Sequence, residues 1–195
     1  MVLAKRFIAA MLGIAAEVEA IAEGKLGLIP SDAAQAIAKG AHGVKLDMDR
    51  LERETHNVGY PILPLVHQLA EGLGEAGKFL HWGATTQDIM DTALVLQIRA
   101  GLDLIEADLR GVATQLRRLS AEYRDTPMAG RTHLQHALPV TFGLKTAIWL
   151  GMVERNLERL QQLRPRVLVG QFAGAGGTLA SLGNRGLEVQ AAMMA

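Results

Sequence analysis

Between Leu94 and Tyr123 the chain carries an apolar stripe of Leu94, Ile98, Leu102, Ile105, Leu109, Val112, Leu116, Leu119 and Tyr123, spaced by threes and fours without a proline. A mean spacing near 3.5 is that of an α-helix wound into a left-handed bundle. Counted from the threonines ahead of it, such a helix of about 36 residues is roughly 54 Å long. A compact domain of 195 residues is only about 33 Å across. One copy of the chain cannot cover the whole stripe, so the pattern predicts self-association.

Helix signals dominate the rest. A first amphipathic helix places Ile8, Met11, Leu12, Ala15, Val18 and Ala22 on one face and ends near Gly24 to Gly27. Pro30-Ser31-Asp32 starts a second with Ser31 as its N-cap, residues 47–55 make a charged helical turn or two, and Pro61 opens a helix over Ile62 to Leu73. Thr85 and Asp88 stand at capping-box spacing before the long helix. Residues Asp125 to Pro139 read as a loop, and Pro139 suits the first turn of a second long helix running to about Val169, with a kink at Pro165. The segment Gln171 to Thr178 is a glycine-rich bend. No stretch sustains the alternation of a strand, so the expected class is all-α.

Composition narrows the functions. With 49 % hydrophobic residues the chain can bury a core, and zero cysteines exclude disulfides, thiolate metal sites and a cysteine nucleophile. Twenty basic residues balance 20 acidic ones, and no basic patch is interleaved with aromatics, so nucleic acid is not an expected partner. The two halves differ, however: residues 1–110 hold 10 Lys/Arg against 15 Asp/Glu, and residues 111–195 hold 10 against 5. A basic half folded over a ligand favours an anion, while an ordinary helical surface or pairing between copies explains the asymmetry equally well. Lys5-Arg6 and the apolar residues after it have the makings of a signal peptide, but the helical spacing continues past Glu17, Glu19 and Glu23. No run reaches the ~18 apolar residues of a membrane span. The expected location is cytoplasmic, without membrane contact.

Three polar loops interrupt this helical chain. In the first, His81 to Asp88, Thr85 and Thr86 sit where a helix N-terminus offers free amides and a favourable dipole, which suits a carboxylate. The plainer alternative is that Thr85 caps and His81 packs. The second, Gly130 to His136, holds Arg131, Thr132, His133 and His136. Two histidines three apart lack the further ligands usual at a metal site, so an acid or base near neutral pH is the better reading, with Arg131 as a clamp. The third, after Gln171, is no phosphate loop, because no strand precedes it. His56 and His67 are weaker candidates, of a kind that usually serve packing or surface.

The three loops together, His81-Trp82-Gly83-Ala84-Thr85-Thr86-Gln87-Asp88, Gly130-Arg131-Thr132-His133 and Gln171 to Thr178, resemble the fumarase/aspartase superfamily in order and separation. The residues Leu134 to Lys145 and Leu163 to Leu168 are most similar to the 3-carboxy-cis,cis-muconate cycloisomerases. His133 and Glu54-Thr55-His56 resemble the adenylosuccinate lyases, in which a histidine at the first position is the proposed general acid. Bacterial cycloisomerases often carry tryptophan there.

The resemblance implies a fold and a chemistry. Residues 1–80 would be a shortened N-terminal helical domain, and 81–195 the first part of a central long-helix bundle. A base removes a proton beside a carboxylate, an aci-carboxylate forms, and the group on the neighbouring carbon departs; run in reverse within one molecule, the same logic closes a lactone from a muconate. Catalysis is implied for His133 and His81, and substrate binding for Thr85, Thr86, Thr132, Gln171, Arg131 and His56, with a small polycarboxylate as substrate. No metal or organic cofactor is implied. Family sites join regions from three subunits of a homotetramer. The family's base, a serine in a Gly-Ser-Ser-x-Met-Pro-x-Lys-x-Asn loop, does not occur in residues 1–195. The expectation is therefore a fragment of a lyase or cycloisomerase, without turnover by itself. The competing expectation from the stripe alone is a non-catalytic helical assembly protein.

Overall fold

The computed structural model describes residues 2–194, and side chains from Gly13 onward except Ala15. The expected apolar positions Ile8, Met11, Leu12 and Ala15 lie outside the described side chains. Seven helices and one hairpin make up the described residues: α1 (Val2–Lys25), α2 (Ser31–Gly40), α3 (Met48–Val58), α4 (Ile62–Leu73), α5 (Thr86–Glu122), β1 (Pro127–Thr132), β2 (Gln135–Thr141), α6 (Phe142–Val167) and α7 (Gly186–Met194). Short 3-10 turns link several of them. The fold is all-α apart from the two strands. The chain divides into two compact units, one of residues 1–98 with 169–195 and one of residues 99–168.

In the first unit α1 to α4, the start of α5 and α7 surround an apolar core. Ala16, Ala20, Ile29, Ile37, Leu51, Ile62, Leu65, Leu69, Leu80 and Ile89 form its main cluster, and Ala22, Phe172, Leu182 and Val189 a second. Small residues let the first two helices approach closely: a Cβ at Gly24 would lie 2.3 Å from that of Ala34. Helix α3 begins where the Asp47 carboxylate accepts from the Asp49 and Arg50 amides, which also holds that carboxyl below its usual range. Its register on α4 is set twice. Gln68 accepts from the Asp47 amide at 2.8 Å and donates to the Asp47 carbonyl, while Arg50 forks onto Glu71 at 2.7 and 2.9 Å and also reaches Glu54. Ser31 is not the N-cap of α2. It has entered the helix as its first residue after Pro30, and its hydroxyl accepts from the Gln35 side chain instead.

In the second unit the later part of α5 and α6 run antiparallel. Arg164 pairs with Asp103 and Glu106 at 2.9 and 2.8 Å, Arg117 with Glu154 at 2.7 Å, and the Ser120 hydroxyl donates to the Gly143 carbonyl. The rings of Tyr123, just past the end of α5, and Phe142, at the start of α6, meet edge to face at 5.5 Å. The expected loop between these helices is a β-hairpin: Met128 pairs with Val140, Ala129 with Pro139, Arg131 with His136 and Thr132 with Gln135, with a bulge at Gly130. Pro139 therefore belongs to β2, not to a helix. In a two-stranded hairpin every strand is an edge, so the missing proline N–H is tolerated. Helix α6 starts three residues later, capped by the Thr141 hydroxyl accepting from the Leu144 amide at 3.1 Å. Pro165 falls in its last turn, and α6 ends at Val167.

The long stripe is only partly covered within the chain. Leu94, Ile105 and Val112 remain 53 %, 51 % and 46 % exposed, and Leu144, Ile148, Trp149 and Met152 on α6 are open as well. Apolar side chains in such a row are more than scattered surface residues.

Close approach in the second unit yields a direct test. A Cβ at Gly143 would lie 2.5 Å from Arg124 Cα and 2.8 Å from the Ser120 carbonyl oxygen, both backbone, whereas a Cβ at Gly101 in α5 meets nothing within 4 Å. In urea unfolding, Gly143→Ala is expected to cost about 1–3 kcal/mol. Gly101→Ala should gain about 0.5–1 kcal/mol through helix propensity. Equal effects of the two would contradict the close crossing.

Candidate active site

The first unit converges on one carboxylate. Asp88, in the first turn of α5, is 1 % exposed and accepts three backbone hydrogen bonds of 2.9 Å. Its Oδ2 takes the amides of Thr85 and Gly174, and its Oδ1 takes the amide of Ala173. The first of these is the carboxylate half of the capping box expected from Thr85 and Asp88. The other two come from the glycine-rich segment more than 80 residues away. One helical turn on, the Thr92 hydroxyl donates to the Gln171 carbonyl and accepts the Gln171 amide, at 3.1 and 3.0 Å. Gln190 on α7 closes the staple by donating to the Phe172 carbonyl at 2.7 Å.

These bonds fasten the bend 171–174 across the start of α5. Gly174 is required there: its φ of 69° is left-handed, and a Cβ would lie 2.9 Å from the Gly83 carbonyl oxygen. Thr85, Thr86 and Gln171 are thereby held on neighbouring segments, each partly exposed. The hydroxyls of Thr85 and Thr86 make no hydrogen bond among the described residues, while the Asp88 carboxylate is saturated by amides. Two free hydroxyls at the positive end of a 37-residue helix suit an anionic group.

His81 stands on the same loop, with a left-handed φ of 63° that is uncommon for a residue with a side chain. Its ring is mostly enclosed, and Nδ1 lies 3.9 Å from Glu19 Oε2 on α1. Burial pushes its pKa below the ordinary value, partly offset by the charge of Asp88, so the ring is neutral near physiological pH. Glu19 and Glu23, one turn apart, are both fully buried, and no cation is paired with them among the described residues. Desolvation, reinforced by Glu23 and Asp88, pushes Glu19 well above the usual carboxylate range, although the Ala84 amide points toward it and offsets part of the rise. Desolvation pushes Glu23 up to about 8.

Arg131, Thr132 and His133 belong to the second unit, at the tip of the hairpin. Arg131 and Thr132 end β1, and His133 with Leu134 forms the two-residue turn, in which Leu134 takes a φ of 55°. All four are exposed, as is His136 on β2. Arg131 and Lys145 flank an open, otherwise apolar groove of about 460 Å³ between the strands and α6. His56 sits exposed in the last turn of α3, and His67 is exposed on α4. The structure therefore joins His81, Thr85, Thr86 and Gln171 in one unit and groups Arg131, Thr132 and His133 in the other. Among the described residues no cluster of His, Asp or Glu is arranged to hold a metal ion.

Sequence reasoning missed Thr92, Glu19 and Glu23 and treated Asp88 only as a weak capping partner. The signal for the glutamates was present: both fall on the apolar side of α1, where ionised carboxylates are rare.

Two outcomes follow from this geometry. Asp88→Ala strands three amides and is expected to cost about 3–5 kcal/mol in urea unfolding; a loss below about 1 kcal/mol would mean that the bend is held otherwise. The buried glutamates bind protons more tightly in the folded chain than in the unfolded one. Their stabilisation is complete below the ordinary carboxylate pKa and is lost as pH rises, for Glu23 through about 8. The lowered pKa of His81 acts in the opposite sense, but only below its ordinary value of 6.5. Melting temperature should therefore fall from about pH 6.5 to about pH 9, and fall less in Glu23→Gln.

Residues 4–194 match the lyase family. The chain is 45 % identical to the 3-carboxy-cis,cis-muconate cycloisomerase of Pseudomonas aeruginosa over 88 % of its length and 38 % of the relative's. It is 42 % identical to the adenylosuccinate lyase of Pyrococcus abyssi over 89 % of its own length and 38 % of that protein's. The crystal structure of a fumarate lyase from Mesorhizobium sp. BNC1 superposes with a TM-score of 0.92 at 56 % identity, covering 95 % of this chain and 44 % of that one. The chain thus spans less than half the length of the proteins it matches. With residues 4–194 matched and the fold superposing over 95 % of the chain, the chain belongs to the lyase family of the fumarase/aspartase type.

Proposed function

We propose that this chain contributes to a lyase or cycloisomerase acting on a small polycarboxylate, most like 3-carboxy-cis,cis-muconate cycloisomerase. The observation that carries this reading is the pair of unengaged hydroxyls, Thr85 and Thr86, beside the Gln171 bend at the N-terminus of α5. A substrate carboxylate bound there accepts hydrogen bonds from the threonines while negative charge accumulates on it. Donors already fixed in place, by Asp88 and Thr92 here, stabilise that charge without reorganising.

The chemistry balances simply. In the elimination direction the C–H beside the carboxylate gives its proton to a base, its electron pair spreads into the carboxylate, and the pair then returns to form C=C as the bond to the leaving group breaks. An acid protonates the departing atom; His133 is proposed for that role, with His81 in the same site. In the cycloisomerase direction a carboxylate oxygen adds across C=C to form the lactone, and a proton is delivered to the neighbouring carbon. Thr132 and Arg131 are proposed as further substrate donors, and His56 as a residue near the leaving group. Residues 1–80 are proposed as an N-terminal helical domain and 81–195 as the first part of a central bundle.

We further propose that the protein is a cytoplasmic homotetramer in which the hairpin of one copy reaches the α5 start of another. The uncovered row on α5 and α6 supports assembly, and the separation of the site residues into two compact units is compatible with it. No helix among the described residues is long and apolar enough to cross a membrane. A second reading, an adenylosuccinate lyase or another fumarate-releasing C–N lyase, is favoured by His133 and by the Pyrococcus relative.

The test pairs ligand binding with turnover. Fumarate or succinate at about 100 times its dissociation constant should stabilise the chain by about 2.7 kcal/mol in thermal melts, and Thr85→Val with Thr86→Val should abolish the shift. In a preparation that turns over, His133→Ala is expected to slow lactone formation or fumarate release about 10²–10⁴-fold. Melts unmoved by dicarboxylates, together with light scattering showing a stable oligomer, would favour the non-catalytic assembly protein instead.

A further inference from the structure

The buried side of His81 holds two polar groups without partners. Glu19 is 0 % exposed, and neither of its carboxylate oxygens makes a hydrogen bond. His81 Nδ1 is likewise buried and unbonded, 3.9 Å from Glu19 Oε2. Leaving either atom unpaired costs free energy, and the two face each other across a gap that a rotation of about 1 Å closes to hydrogen-bond length. Because Nδ1 is the enclosed edge of the ring, the 20 % of the side chain that remains exposed belongs to its other atoms.

Which group carries the proton is settled by the surroundings. The groups that face Glu19 are Glu23 on its own helix, Asp88 on α5, His81 and the Ala84 amide; the first two are acidic, and the amide, which favours a charge on Glu19, counts for less than burial. No cation compensates a charge on Glu19 among the described residues, so a buried carboxylate there would be repelled from two directions. A neutral carboxyl has an O–H to give, and a neutral imidazole has one nitrogen to accept it.

We propose that Glu19 is a positioning residue for His81: its protonated carboxyl donates to Nδ1 and confines the imidazole proton to Nε2. A histidine locked in this tautomer keeps an N–H donor on the ring edge opposite Glu19. The catalytic use of that donor rests on the reading given under Proposed function, but the tautomer itself does not.

The experiment is long-range proton–nitrogen correlation NMR on the histidine-labelled chain, titrated from neutral to alkaline pH, for the wild type, Glu19→Gln and Glu19→Leu. At neutral pH the wild type should show His81 Nδ1 unprotonated and Nε2 protonated. Once Glu19 ionises at higher pH, the preference should reverse, since a carboxylate accepts rather than donates. Glu19→Gln keeps a donor but cannot ionise, so whatever tautomer it shows should stay fixed through the titration, without the reversal of the wild type; Glu19→Leu should lose the preference at every pH. A wild type with Nδ1 protonated at neutral pH overturns the proposal, as does Glu19→Gln reversing like the wild type. The Gln variant decides the matter even if Leu impairs folding. Dicarboxylate melts on the same samples report separately on the proposed substrate class, so either idea can fail without the other.

Discussion

The Asp88 carboxylate is the contact on which the first unit's candidate site depends. It satisfies one of the orphan amides at the start of α5 and two amides of a bend whose sequence position is far removed. Charge-assisted bonds to backbone amides are among the stronger hydrogen bonds a protein makes. Their geometric effect matters as much as their energy. Asp88 takes the Thr85 amide itself, so that residue's hydroxyl is not needed as a cap, and Gln171 is placed beside the threonines because Thr92 and Asp88 grip its segment. Fixed donors of this kind are what a reaction developing carboxylate charge requires.

Around that anchor the environment is unusually acidic for an interior. Glu19 and Glu23 lie on the apolar side of α1 with no positive partner among the described residues, and burial pushes both carboxyls above their usual range, Glu23 to about 8. Structures seldom retain such groups for stability, since apolar residues of similar size would pack at lower cost. A donor aimed at the enclosed nitrogen of His81 gives one of them a use. The same arrangement makes the first unit sensitive to alkaline pH.

Much of this was legible in the residue pattern. Apolar spacing from Leu94 to Tyr123, with the capping-box spacing of Thr85 and Asp88, specified α5 almost to its ends, and Pro61 opened α4, because helix periodicity and backbone restriction are local properties. Polar loops at helix ends pointed to Thr85, Thr86 and Gln171 for the same reason. The hairpin was not legible: most residues of β1 and β2 are exposed, so no alternation of apolar and polar positions marks it. Pro139 even argued for a helix, since nothing local reveals that its neighbours pair with residues 127–132. Ser31 failed as a cap because the helix already begins at Ser31, directly after Pro30.

By itself, then, the sequence determined the helical class, the long unpaired apolar row and the polar residues available for chemistry, all of which follow from short-range spacing and side-chain type. Tertiary structure decided what those residues are joined to. It brought Ala173 and Gly174 onto Asp88 and buried Glu19 against His81, contacts between segments dozens of residues apart that no local pattern encodes. A carboxylate's role depends on which amides and charges surround it, and only the folded chain brings those together.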